Sequence, residues 1–365
     1  MSNQHIQGTI LAGGEWIKGE MIFNEKIISI AGEVVSAPQA GSPIILPGFI
    51  DLHVHGAGGA DVMDAQNSFE KIAKTLAKHG TTSLLATTMT AEKNEIEKAI
   101  HDLKPYYHTR SLQSSRLLGI HLEGPFINEN RKGAHPEKMR EATKTEILHL
   151  NSLVPIKIIT IAPEIFHHLD LIQELQNMFI FQIGHTNATY EQTKSALNHG
   201  AKSFTHLFNA MSALHHREPG TVGAALLHAE YAELIPDLLH VHPAAIQLAL
   251  KNIPHLYFVS DATAATGMPD GEYQLGSQRV EKCMGGVRLK DGTLAGSSLT
   301  LDAALRNLVS IGIDLKDISH RLSGIPAKLI NVHDRGVLQQ GNFADFVILD
   351  HNLHIHSVVI EGEMV

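Results

Sequence analysis

Apolar, β-branched runs recur through the middle of the chain at "GFIDLHVH" (48–55), "TTSLLATT" (81–88), "RLLGIHLEG" (116–124) and "IKIITIAPE" (156–164). They continue at "MFIFQIGH" (178–185), "KSFTHLF" (202–208), "AELIPDLLH" (232–240) and "HLYFVSDA" (255–262). Each has the length and residue type of a buried strand, and the segments between them carry helical periodicity. In "SFEKIAKTLAKHG", Phe69, Ile72, Ala73 and Leu76 share one face, with Ser68 as expected N-cap and Gly80 as stop. In "TYEQTKSALNHG", Thr189 and Gln192 have the spacing of a capping box and Gly200 ends the helix. Near-continuous apolar strands alternating with helices predict a parallel (β/α)8 barrel of the TIM type over residues 49–333. The competing arrangement is a doubly wound open sheet. Residues 1–48 and 334–365 read instead as short strands broken by Gly and Pro, and they predict one small β-sandwich built from both termini.

In such a barrel the chemistry sits at the C-terminal ends of the strands. Six ligand-type side chains fall there: His53 and His55 on the first predicted strand, Glu123 on the third, His185 on the fifth, His206 on the sixth and Asp261 on the eighth. His53 and His55 are two apart, so both face the barrel interior. Neutral imidazoles buried beside a carboxylate are costly unless something ligates them. Imidazole nitrogen and carboxylate oxygen suit Zn²⁺, and also Fe²⁺, Mn²⁺ or Co²⁺. The chain has 25 histidines, so a single one means little. His5, His79, His101, His108, His199 and His228 lie on predicted helices, loops or strand starts and are read as ordinary surface or packing residues.

Composition narrows the partners. The 365-residue chain is 43% hydrophobic and 18% charged, an ordinary globular balance. A net charge of −9 without a dense Lys/Arg run argues against nucleic acid, although one or two placed cations suffice for a small phosphorylated substrate. No glycine-rich dinucleotide fingerprint or P-loop follows the first strand. The single cysteine, Cys283, excludes an internal disulfide and is read as a packing residue. No apolar run reaches membrane-spanning length and the N-terminus lacks a signal-peptide pattern, so the expected location is cytoplasmic, with no membrane partner.

The HxH of the first strand, the lone histidines of the fifth and sixth and the aspartate of the eighth resemble the amidohydrolase superfamily. Within it, "HLEGPFIN" (121–128), "GHTNAT" (184–189), "THLFNAM" (205–211), "REPG" (217–220), "SDATAATGMPDGEYQLG" (260–276) and "DGTLAGSSLT" (291–300) closely resemble the N-acetylglucosamine-6-phosphate deacetylase family. The resemblance spans about residues 45–350, in order. It implies a barrel of the metal-dependent amidohydrolase kind that hydrolyses the acetamide of an amino-sugar phosphate with one or two divalent ions, zinc first among them. It further implies that Glu123, His185 and His206 hold the principal metal, that His53 and His55 hold a second with Glu123 shared, and that Asp261 is the acid/base. Ala134 and His135 would meet the acetamido group, Asn209 and Ala210 the sugar phosphate through their backbone, and Arg217 the phosphate. Leu294, Ala295 and Gly296 would close over the substrate. His240 would be donated across a homodimer interface, although "PDLL" precedes it where the family has a glycine.

A cyclic amidohydrolase of the dihydroorotase or hydantoinase kind would need a lysine at the end of the fourth strand, but Lys157 stands at its start. The galactosamine epimer of the substrate and a non-catalytic barrel scaffold remain as further alternatives.

Overall fold

A computed structural model of the chain describes residues 2–64 and 67–365. Eight parallel strands carry the middle: β1 (Phe49–Val54), β2 (Thr81–Thr87), β3 (Arg116–Glu123), β4 (Ile156–Ile161), β5 (Ile180–Ile183), β6 (Ser203–Phe204), β7 (Tyr231–Leu234) and β8 (His255–Phe258). β1 to β6 lie side by side in chain order and β7 pairs with β8. Backbone bonds just beyond the strands bring the ends together. Asp261 N–H reaches His53 O at 3.0 Å, His55 N–H reaches Ala262 O at 2.8 Å, and Leu207 N–H reaches Glu233 O at 2.8 Å. The result is a (β/α)8 barrel, and the open-sheet alternative is excluded. Outer helices bury one face each, as α1 (Ser68–Ala77) does with Phe69, Ile72, Ala73 and Leu76.

Local signals were realised unevenly. Thr189 and Gln192 form the expected capping box on the helix Tyr190–Asn198. Ser68 does not cap α1; it is the first helical residue, its hydroxyl donates to Asp64 O at 3.0 Å, and Asn67 occupies the cap in a left-handed conformation. The seventh strand ends at Leu234, because Pro236 cannot donate to a ladder, so the expected strand over 232–240 becomes a loop after its third residue. Cys283 ends the middle strand of an antiparallel excursion (Gly271–Leu275, Gln278–Cys283, Gly286–Arg288) and is exposed, which corrects its reading as a packing residue.

Strands from both termini make one seven-stranded sheet: Gln4–Ala12, Glu15–Phe23, Ile27–Val35 and Ile44–Pro47 with Phe346–Leu349, Ile355–Ile360 and Glu363–Met364. It folds back on itself. Phe23 and Phe346, on strands with two others between them in the pairing order, meet edge to face at 5.0 Å between ring centres in a core with Ile10, Met21, Ile27 and Ile45. That core is the small sandwich anticipated from the β-rich ends.

A buried charge network fastens this sheet to the barrel. Arg335 Nη1 donates to Asp345 Oδ2 at 2.8 Å and to Ser83 Oγ of β2 at 3.1 Å, while Nη2 reaches Glu361 Oε1 at 3.3 Å. Glu361 is also held by Arg116 Nε of β3 at 2.7 Å and by Arg110 Nε at 3.0 Å. Removing one member of a buried network strands the others. Arg335→Met is expected to cost about 3–5 kcal/mol of stability, read as a lower urea midpoint. Burial alone would raise the Glu361 carboxyl, but Arg116, Arg335 and Arg110 hold it at about 2. A depressed carboxylate contributes fully above its ordinary value of 4.5 and loses its contribution as pH falls toward about 2. Acid unfolding of the variant is therefore expected at a higher pH than that of the native chain; an unchanged midpoint would show that the network does not couple the two parts.

Candidate active site

All six side chains expected at the strand ends converge at the C-terminal mouth of the barrel. His53 lies within β1 and His55 one residue beyond it; Glu123 closes β3. His185, His206 and Asp261 stand two to three residues past their strands with φ of 46°, 27° and 50°. Such left-handed backbone costs a non-glycine residue of order 1–3 kcal/mol and persists where its surroundings over-determine it. Here it accompanies side chains that all reach the barrel axis.

Two triads share one carboxylate. Glu123 Oε1 lies 3.1 Å from both His185 Nε2 and His206 Nε2, and these nitrogens are 3.0 Å apart. Glu123 Oε2 lies 3.2 Å from His53 Nε2 and 2.9 Å from His55 Nε2, which are 3.1 Å apart. Asp261 Oδ1 is 3.4 Å from both of the latter nitrogens and has no hydrogen-bond partner.

Hydrogen bonds on the far side of two rings decide which nitrogen is bare. His53 Nδ1 faces Glu233 Oε1 at 2.7 Å and His185 Nδ1 faces the Arg131 carbonyl at 2.8 Å, both acceptors, so each Nδ1 carries the proton. Their bare Nε2 atoms then face the Glu123 oxygens at 3.2 and 3.1 Å, a repulsive arrangement unless a cation sits among them. A tetrahedral ion with metal–nitrogen bonds of 2.0–2.1 Å sets its ligands about 3.3 Å apart, close to these spacings. Donor type, spacing and the unpartnered Asp261 oxygen all fit a divalent metal. A demand for positive charge shows on His53 itself: burial opposes a second proton on its ring, yet Glu123, Asp261 and Glu233 raise it well above its ordinary value.

Above the triads lies a cavity of about 340 Å³. His135 approaches Glu123 Oε2 at 3.4 Å through Nε2, while Thr90 N–H donates to its Nδ1 at 3.1 Å. That bond fixes Nε2–H as the donor pointing into the cavity, and burial, aided by His185 and His55, lowers the ring to about 4. Gly124 makes the approach possible: at φ 66° it sits where a Cβ would fall 2.1 Å from Thr90 Oγ1.

The expected substrate contacts divide. Ala134, His135, Asn209, Ala210, Leu294 and Gly296 line the cavity. Ala295 does not; it is fully buried in an apolar cluster with Leu275, Val280 and Val287 beneath the excursion. Arg217 is exposed and donates to His216 Nε2 at 2.8 Å, outside the cavity wall. His240 lines the cavity of its own chain, with Nδ1 2.6 Å from Asp237 Oδ2. Sequence reading missed Glu233, whose signal was a lone carboxylate inside the apolar run of β7, and Arg131, whose contribution is a backbone carbonyl that no side-chain pattern announces.

Barrel, paired triads and unpartnered carboxylate together define a metal-dependent hydrolase of the amidohydrolase class. The amidohydrolase family model matches residues 44–365. The chain is 38% identical over 352 residues to the N-acetylglucosamine-6-phosphate deacetylase of Lysinibacillus sphaericus, covering 93% of this chain and 91% of that one. It is also 38% identical over 342 residues to the N-acetylgalactosamine-6-phosphate deacetylase of Escherichia coli O157:H7, covering 90% of each. Among solved structures, a mutant N-acetyl-D-glucosamine-6-phosphate deacetylase from Mycobacterium smegmatis in complex with N-acetyl-D-glucosamine-6-phosphate superposes with a TM-score of 0.92. There the identity is 30% and the coverage 100% of this chain and 99% of that one. The chain belongs to the amidohydrolase family and, within it, to the N-acetylated amino-sugar-phosphate deacetylases.

Proposed function

We propose that the protein hydrolyses the acetamide of N-acetyl-D-glucosamine 6-phosphate, giving D-glucosamine 6-phosphate and acetate. The observation that carries the chemistry is the division of Glu123: each oxygen serves a separate histidine pair, with Asp261 Oδ1 unpartnered beside them. Glu123, His185 and His206 would hold one divalent ion, zinc as first choice, and His53, His55 and Glu123 a second. A divalent ion held there would lower the pKa of a water toward ~7 and polarise the acetamide carbonyl.

The chain's own groups do the rest. Asp261 takes a proton from the attacking water and delivers it to the departing amine nitrogen. His135 Nε2–H donates to the oxygen that gains charge as the carbonyl is attacked. The Asn209–Ala210 backbone and His240 meet the phosphate, so remote binding orients the acetamide over the triads. Arg217 joins them only if its exposed segment turns toward the cavity.

A homodimer belongs to the proposal. Leu214, Leu227, Leu239 and Met284 are 53%, 67%, 47% and 91% exposed, apolar surface that a second subunit would cover. A cytoplasmic setting fits a charged sugar phosphate as substrate. The test is an acetate-release assay on the 6-phosphates of N-acetylglucosamine and N-acetylgalactosamine with Zn²⁺, Fe²⁺, Mn²⁺ or Co²⁺ added in turn. Turnover of the first above the second is expected, preference for the second assigns the galactosamine reading, and release from neither rejects the proposal.

A further inference from the structure

We infer that Glu233 is a positioning residue for both halves of the site, a buried group that touches no ion yet governs how many ions the site retains. The inference rests on the proposed two-ion reading.

Glu233 lies on β7, fully buried beneath the triads and outside the cavity wall. Its Oε1 accepts from His53 Nδ1–H at 2.7 Å and from the backbone N–H of His206 at 3.0 Å. His53 belongs to one triad and His206 to the other, so a single oxygen of Glu233 ties together from behind the two triads that Glu123 serves in front. Its Oε2 receives the Tyr257 hydroxyl at 3.2 Å, and that hydroxyl in turn accepts from Gln182 Nε2 at 2.5 Å, which leaves the phenol proton for Glu233. Two N–H groups and one O–H therefore converge on a group that only accepts. Nothing but a carboxylate satisfies all three.

The bond to His53 has a chemical consequence. It holds the proton on Nδ1 and leaves Nε2 bare toward Glu123 Oε2. The bond to His206 pins a backbone whose φ is 27°. An amide at position 233 cannot do the same work. With its oxygen toward His53 and His206, its NH2 meets a hydroxyl that Gln182 already serves, and the phenol proton has no acceptor. With the amide reversed, NH2 faces two donors and drives His53 to the Nε2–H tautomer, which cannot ligate.

Zinc stoichiometry and chelator competition on purified Glu233→Gln provide the test. The native chain is expected to hold two ions; the variant is expected to hold one, with the lost ion bound about 10–100-fold more weakly. The ¹⁵N shifts of the His53 ring in the zinc-loaded protein should move from a metal-bound Nε2 with Nδ1–H to the Nε2–H pattern, and kcat should fall by more than KM changes. Tyr257→Phe removes the third donor but keeps the bonds to His53 and His206, so it is expected to retain both ions. Should Glu233→Gln fail to fold, Glu233→Asp, which keeps the charge but withdraws by one methylene, carries the same expectation at smaller size. Two ions of native affinity in the folded Glu233 variant, or loss of the same ion in Tyr257→Phe, overturns the inference. A native chain holding fewer than two ions overturns the two-ion reading itself, independently of any variant.

Discussion

Asp261→Asn is expected to keep the metal content of the native protein while losing about 10²–10⁴-fold in kcat, the range that general acid–base groups contribute. The side chain is nearly isosteric, so the left-handed backbone at φ 50° and the bond from Asp261 N–H to His53 O at 3.0 Å survive. What disappears is the proton-accepting oxygen. Native Oδ1 has no hydrogen-bond partner and lies 3.4 Å from both His53 Nε2 and His55 Nε2, free to exchange a proton with whatever occupies the cavity floor. Gly296 leaves this position open: at φ 58° a Cβ there would come within 3.0 Å of Asp261 O. Elemental analysis beside steady-state acetate release reads both quantities. Turnover near that of the native chain would remove Asp261 from the reaction; loss of metal would make it chiefly a ligand.

Glu123→Gln should do more damage, reducing bound metal below one ion per chain and abolishing detectable acetate release. A glutamine offers one acceptor oxygen where two are needed. Whichever way the amide turns, one triad keeps only a neutral carbonyl oxygen and the other receives an NH2 group in place of its ligand. The two triads are not equivalent, and a second substitution separates them. His53→Gln combined with His55→Asn strips one triad and leaves Glu123 Oε1 with His185 and His206 at 3.1 Å, so that protein is expected to keep one ion. If Glu123→Gln binds as many ions as the native chain, the shared-carboxylate geometry is wrong.

Much of the site was legible before any coordinates, because ligand-type residues at the ends of apolar runs are a local signal. His53 and His55 are two apart on a strand, and period two alone sends both inward. His185, His206 and Asp261 were legible as polar residues closing apolar segments, although they lie past the regular strand and reach inward from left-handed backbone. Arg217 shows the limit. Its motif follows Met211 in order, yet the loop between them leaves the guanidinium exposed. Ala295 shows another, since a loop whose neighbouring residues face the cavity can turn the one between them away from it.

The chain's hydrophobic rhythm was enough to determine an alternating β/α barrel with β-rich ends and a mouth carrying five nitrogen- or oxygen-ligand residues and an aspartate. Periodicity and strand length are properties of neighbouring residues, and burial enforces them wherever the strand packs. Only tertiary structure decided that one carboxylate, Glu123, divides between two triads, that Arg217 stays outside the cavity wall, and that Glu233 stands behind both triads. Each of those is a contact between residues 27 to 180 positions apart, or a turn of loop backbone, and such distances close only when the barrel does.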